Sequence, residues 1–180
     1  MEIGFGAGEH LAAMAASHPD IDFLGAEPFV NGVAALLSEI DERGLSNIRI
    51  YDDDVRPLLD ALPDGIISNL FILFPDPWPK TRHHSRRMMV DENIRRFARI
   101  ITPGGRLLFV SDHMDYVSWT LEKMAASPYF DWLAERPGDW RDPPETWPGS
   151  KPAEKLATRY QQKARLKGID PVYLEFRRGP

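Results

Sequence analysis

Residues 65–80 read GIISNLFILFPDPWPK. The length and bulk of the apolar run over residues 65–74 predict a strand buried on both faces. Strands of that kind belong to parallel sheets covered by helices on both sides. The run stops where three prolines, a carboxylate and a tryptophan crowd into residues 74–79. Asp76 then lies just past the carboxyl end of the strand, where open parallel sheets bind ligands. Pro75 and Pro77 fix the backbone on either side of it. A carboxylate held that way is pre-organised to meet a substrate. Trp78 adds a stacking face and Lys80 a cation. A turn aspartate and a core tryptophan are the plainer readings. They leave the position on the ligand face and the cations that follow unexplained.

The same alternation extends outward from this strand. Upstream, EIGFG (2–6) reads as a strand end and turn, Glu9 to Ser17 as an alanine-rich helix and DFLGAE (22–27) as a strand. Phe29 to Arg43 reads as a helix stopped by Gly44, NIRIYD (47–52) as a strand and Val55 to Leu62 as a short helix. Downstream, Asp91 is placed to cap a helix that runs to Ile101 and that the ThrProGlyGly of residues 102–105 ends. GRLLFVSD (105–112) is a strand, Tyr116 to Ala126 a helix, and residues 131–136 and 172–178 final strands. Strands alternating with helices predict an α/β fold with a mostly parallel sheet and helices on both faces. The stretch from Gly138 to Pro152 is the longest irregular connection. Its length suits a functional loop or a disordered insert.

A chain of 180 residues is expected to form one domain with a real core. It has no cysteine, which excludes disulfides and thiolate metal sites and fits a reducing compartment such as the cytoplasm. No apolar run approaches ~20 residues, so no membrane span is expected. The opening MEIGFGAGEH lacks the features of a signal peptide. His83 and His84 are adjacent and diverge on any regular backbone, so they do not read as a metal pair, and no metal is expected.

The net charge of −5 argues against a nucleic-acid partner until its distribution is considered. Residues 80–99 hold seven Lys and Arg against two acids, a local +5, and residues 151–178 hold eight against three, again +5. Two basic segments on an acidic body form a phosphate-binding patch if the fold joins them. Solvated helix faces are the commoner fate of such runs.

Glu2-Ile3-Gly4-Phe5-Gly6-Ala7-Gly8 fits E-x-G-x-G-x-G at the end of the first strand. Glycines there let a helix N-terminus and its backbone approach a ligand closely. Glu27 ends the next strand, where a carboxylate grips the hydroxyls of an adenosine ribose. The spacing differs from the dinucleotide G-x-G-x-x-G, since position 9 is Glu. A glutamate ahead of the glycines suits a cationic or amino-acid-bearing ligand such as S-adenosylmethionine. Asp53 is placed either to accept from an adenine amino group or to cap the helix from Val55, with Asp52 and Asp54 as rival caps.

Taken together, EIGFGAG, GAE, LFPDPWPKTRHHSRRMM, FVSDHMDYVSWTLE and TRYQQKARLKG resemble the bacterial single-chain tRNA (guanine-N7-)-methyltransferases over nearly the whole chain. FPDPWPKxRHxxRR is the specific element; the glycine turn is common to most methyltransferases that use S-adenosylmethionine. The resemblance implies a Rossmann-like methyltransferase fold and transfer of a methyl group from S-adenosylmethionine to N7 of a guanine in the tRNA variable loop. By motif, Glu2, Gly4, Gly6, Glu27, Asp53 and Asp76 fall at cofactor positions, and Asp76 also at the proposed catalytic one. Lys80, Asp112, Thr158, Arg159, Tyr160 and Gln161 match substrate-binding positions; the family usually has Glu where this chain has Gln161.

Family members carry several dozen residues ahead of the glycine turn. Here Met1 sits where the first strand should be ending. Residues 1–180 are therefore expected to be a single methyltransferase domain that lacks the N-terminal part of its first strand. Exposed apolar surface, low stability and weak cofactor binding are expected with it. The resemblance further implies a cytoplasmic monomer or homodimer with tRNA as partner. Two rivals stand beside it. One is a nucleotide-dependent oxidoreductase, which leaves FPDPWPK unexplained. The other is an inactive tRNA-binding or partner subunit of the same fold.

Overall fold

The computed structural model describes residues 1–142 and 170–180. Seven strands form one sheet: β1 (Glu2–Ile3), β2 (Phe23–Ala26), β3 (Ile48–Tyr51), β4 (Ile67–Leu73), β5 (Ile101–Ser111), β6 (Phe130–Trp132) and β7 (Val172–Arg178). Among the described residues five helices connect them: α1 (Glu9–Ser17), α2 (Val30–Arg43), α3 (Val55–Ala61), α4 (Asp91–Ile100) and α5 (Met114–Ala125). Two 3-10 turns add to these, over Thr81–Arg86 and Pro137–Trp140. The strand order is β3-β2-β1-β4-β5-β7-β6. All pairings are parallel except those of β7, which runs antiparallel to both β5 and β6.

Strand β4 is buried on both faces, as its composition predicts. Leu70 and Ile72 point into one layer with Leu59, Phe97, Leu107, Phe109 and Tyr116. Phe71 points into the other with Phe5, Leu11, Leu36, Leu108 and Val110. Alternate residues of β4 and β5 thus meet α3, α4 and α5 on one side and α1 and α2 on the other, which is the period-two geometry of a strand. The strand order reverses between β1 and β4. That reversal opens a crevice at their carboxyl ends, the usual ligand site of such sheets.

Strand β1 is short. Glu2 pairs with Gly25 and Phe71, and Ile3 with Ala26 and Ile72. The Met1 ammonium donates to the Asn69 carbonyl at 2.8 Å, and the Met1 carbonyl accepts from Phe71 N–H at 2.9 Å. Apolar exposure was the expectation here, but Met1, Ile3, Phe23 and Leu70 are buried.

Other boundaries move. Val90 occupies the N-cap of α4, and Asp91 is its first helical residue, bonded to Lys123 at 2.8 Å. The ThrProGlyGly segment lies within β5 as an irregularity: the register passes from Ile67 beside Ile101 to Asn69 beside Arg106. Strand β6 covers residues 130–132 instead of 131–136.

Candidate active site

The glycine turn leaves β1 with Gly4 and Gly6 at φ 72° and 58°. Those values favour glycine and explain the residue type. Gly6 N–H then donates to one carboxylate oxygen of Glu27 at 2.9 Å, and Phe29 N–H donates to the other at 3.0 Å. Glu27 thereby ties the turn after β1 to the start of α2. Each of its oxygens keeps a second acceptor site for a ribose hydroxyl. Gly32, not singled out from the sequence, seals this junction. A Cβ there would lie 2.2 Å from the Gly6 carbonyl oxygen.

Glu2 is buried, with one carboxylate oxygen 2.8 Å from His10 Nδ1. Among the three aspartates after β3, Asp54 is the cap: its carboxylate accepts from Arg56 N–H at 2.9 Å and pairs with the Arg56 guanidinium at 2.7 Å. These bonds hold the Asp54 carboxyl below the usual carboxylate range. Asp53 is left exposed at the rim, accepting from Asp54 N–H at 2.6 Å.

The proline-rich knot crosses the carboxyl end of β4. Phe74 and Trp78, neither of them glycine, adopt φ of 50° and 42°, and bracket Pro75-Asp76-Pro77. Left-handed backbone at such residues costs of order 1–3 kcal/mol each and clusters at functional sites. Asp76 is exposed between them. The Trp78 ring is partly occupied, with the Arg86 guanidinium 5.0 Å from its centroid and the His83 ring at its edge, 5.9 Å away.

A cavity of about 670 Å³ joins these pieces. Glu2, Gly4, Gly6, Glu27, Asp53 and Asp76 all line it, with Phe29, Gly32, Trp78, Arg86 and Met88. Its volume falls in the range of small-molecule sites, ~300–1,000 Å³. Carboxylates, a glycine turn and apolar surface lining one cavity suit S-adenosylmethionine, which has a cationic sulfonium, an amino acid and an adenosine. Lys80 and Asp112 do not line the cavity. Lys80 is exposed ahead of the 3-10 turn, and Asp112 is half-buried after β5. Thr158, Arg159, Tyr160 and Gln161 lie outside the described residues. Among the described residues, no group of three or more His, Asp or Glu is arranged to hold a metal.

The run 80–99 is not uniform. Arg87 is fully buried against α5, which removes it from any phosphate surface. Arg96 pairs with Asp60 at 2.7 Å and Glu92 at 2.9 Å, and Arg99 pairs with Asp64 at 2.6 Å. Lys80, Arg82, Arg86 and Arg95 are exposed and make no ion pair among the described residues.

Fold and site together define a Rossmann-like methyltransferase. The 16S rRNA methyltransferase KamB superposes with a TM-score of 0.63 at 15% identity, covering 99% of this chain and 86% of that one. TrmN from Thermus thermophilus superposes with a TM-score of 0.64 at 14% identity, covering 98% and 42%. A family profile described as "Putative methyltransferase" matches residues 1–171. The chain is 50% identical over 180 residues to a tRNA (guanine-N(7)-)-methyltransferase of Rhodospirillum rubrum, covering 100% of itself and 68% of that protein. It is 48% identical over 176 residues to the protein of the same name from Agrobacterium fabrum, covering 98% and 72%. The chain belongs to the tRNA (guanine-N(7)-)-methyltransferase family.

Proposed function

We propose that this chain methylates N7 of a guanine in the variable loop of tRNA, with S-adenosylmethionine as donor, giving 7-methylguanosine. The observation that carries this reading is one cavity shared by the glycine turn with Glu27 and the proline-held Asp76. Family membership supplies the nucleobase and the RNA class.

S-adenosylmethionine supplies a methyl group on a positively charged sulfur. Glu27 and Asp53 would hold its adenosine end, and Glu2 and the glycine turn its amino-acid end. N7 of guanine carries a free lone pair in the major groove. The site therefore needs no base to deprotonate the nucleophile. What the chain must provide is alignment, a proximity task. Asp76 lines the cavity from the segment that follows β4. As an acceptor it suits the guanine N1–H and N2 amino group, and its charge offsets the positive charge that builds on the base. Lys80, Arg82 and Arg86, exposed in the segment that follows the proline knot, would meet tRNA phosphates. By the family motif, Thr158, Arg159, Tyr160, Gln161 and Asp112 would contact the tRNA, and the chain works in the cytoplasm as a monomer or homodimer.

The test incubates the 180-residue chain with methyl-labelled S-adenosylmethionine and bulk tRNA from cells lacking 7-methylguanosine. The digested tRNA is then resolved into nucleosides. Label in 7-methylguanosine is the expected result. Label in a different nucleoside, or tRNA binding with no label at all, would sink the reading.

A further inference from the structure

Arg87 differs from the other cations of its run. Its side chain is 0% exposed, and its contacts tie one part of the protein to another. Nε donates to the Pro77 carbonyl at 2.9 Å. Nη2 donates to the Asp115 carboxylate. The guanidinium carbon lies 4.9 Å from the centroid of the Tyr116 ring and 5.0 Å from that of Trp119. The same rings dock the backbone that follows. Tyr116 Oη accepts from Met88 N–H at 2.8 Å and Met89 N–H at 3.2 Å, and Trp119 Nε1 donates to the Met89 carbonyl at 2.7 Å. Helix α5 is a clamp, and Arg87 is the arm that reaches from it to the proline knot.

The point of contact is specific. The Pro77 carbonyl and the Trp78 N–H belong to one planar peptide unit. Fixing that carbonyl fixes the orientation from which Trp78 takes its φ of 42°. Left-handed backbone at a non-glycine residue persists only where its surroundings over-determine it. Prolines flank Asp76, but they leave the Pro77–Trp78 peptide free to rotate. Among the described residues Arg87 is the group that holds it. Stability alone does not call for a buried cation here. Nη1 of Arg87 is buried without a hydrogen-bond partner among the described residues, and a buried ion pair is often replaceable by apolar packing at no loss. The planar fork also matters: it donates in two directions at once, which a lysine ammonium on a flexible stem does not reproduce.

We infer that Arg87 is a positioning residue of the methyl-transfer site: its guanidinium sets the Pro77–Trp78 peptide and so aims Asp76 and Trp78 into the cavity without itself meeting substrate. The rate effect rests on the function proposed above; the backbone effect does not.

The experiment compares the whole chain with its Arg87→Met and Arg87→Lys variants. Methionine fills the space with apolar volume, and lysine keeps the charge without the fork. Backbone NMR shifts of Pro77 and Trp78 report the peptide orientation. Single-turnover rates at saturating S-adenosylmethionine and tRNA report the chemistry, and separate titrations report both affinities. The expected result in both variants is loss of the left-handed Trp78 signature and a rate about 100-fold lower, the scale set by a misplacement of about 1 Å. Because both ligands are saturating, the loss appears in the rate itself and exceeds any change in either affinity. A full rate in either folded variant, an unaltered Trp78 signature, or a rate restored by more tRNA would overturn the inference. If the methionine variant does not fold, the lysine variant decides by the same criteria. If the wild-type chain transfers no methyl group, the functional reading falls and the Trp78 signature alone decides: lost in the variants, Arg87 positions the knot; kept, it does not.

Discussion

Gly6 N–H donates to Glu27 Oε2 at 2.9 Å, so the carboxylate expected to grip the cofactor also builds the loop that cradles it. A change at Glu27 is therefore predicted to act twice. Glu27→Ala leaves the Gly6 and Phe29 amides without their acceptor. Hydrogen bonds to a charged group contribute about 1.5–3 kcal/mol each, so losing both should cost the unliganded chain roughly 3–6 kcal/mol. Denaturant titration without ligand reads that loss. Glu27→Gln keeps one acceptor oxygen and should recover part of the stability while S-adenosylmethionine binding stays weak. Equal binding by the glutamine variant and wild type would show that the charge has no part in holding the cofactor.

Gly32 tests the same junction by bulk. A Cβ at this position meets a backbone oxygen 2.2 Å away, which has no side-chain freedom to yield. Gly32→Ala should push the glycine turn off Glu27 and cost about 1–3 kcal/mol as overpacking. Cofactor affinity, measured by calorimetry, should fall with it, although residue 32 carries no polar group. An alanine variant that binds as wild type would mean the turn is free to shift.

Asp76 is exposed and makes no hydrogen bond among those described, so its substitution should leave stability unchanged. Asp76→Asn keeps the shape and loses the charge. Losing one pre-organised electrostatic contact to the reacting group costs about 100-fold or more in rate. The expected outcome is that drop in single-turnover rate with tRNA affinity intact. A variant with wild-type turnover would remove Asp76 from the chemistry.

The split within the cationic run predicts different salt behaviour for neighbouring arginines. Neutralising Lys80, Arg82 or Arg86 should lower the slope of log affinity against log salt by about 0.7–0.9 each. Neutralising Arg96 or Arg99 should leave the slope alone and weaken the chain instead. Their guanidiniums join α4 to α3: Arg96 to Asp60 at 2.7 Å, and Arg99 to the Leu62 carbonyl at 2.7 Å. A uniform slope change across all five would return the whole run to the phosphate surface.

Much of this was legible in the sequence, for identifiable reasons. Helix α1 falls on Glu9–Ser17 as read, and β4, read as buried on both faces from its apolar composition, lies at the sheet centre. The glycine turn, Glu27, Asp53 and Asp76 line one cavity because each ends a strand or follows one, and strand ends of a parallel sheet converge. What local pattern could not show depends on partners far along the chain. Arg87 looks like one more solvated cation until Tyr116 and Trp119 cover it from α5. Edge strand β6 takes its bounds from pairing with β7, some forty residues later, as Phe130 meets Arg178. The signal for Gly32 was present as a glycine inside a helix, an expensive choice without a packing reason.

Tyr116 gives the clamp a dependence on alkaline pH. Its ring is fully buried, and burial pushes the phenol up to about 12. In the unfolded chain the same group ionises near ~10. Below that value both states are protonated and the contribution is complete. Between the two values the unfolded state has lost the proton while the folded state keeps it. Stability must then fall as pH rises through the window, by about 1.4 kcal/mol per pH unit and roughly 3 kcal/mol in all. Denaturant midpoints below and within the window should show this as a steepening decline. Comparison with Tyr116→Phe isolates the effect. That variant leaves the Met88 and Met89 amides without their shared acceptor. It should be less stable at neutral pH by about 1–3 kcal/mol and should lose less stability than wild type on the alkaline side. Parallel curves for the two proteins would mean that Tyr116 ionises in the folded chain as readily as in water, and that α5 opens around it.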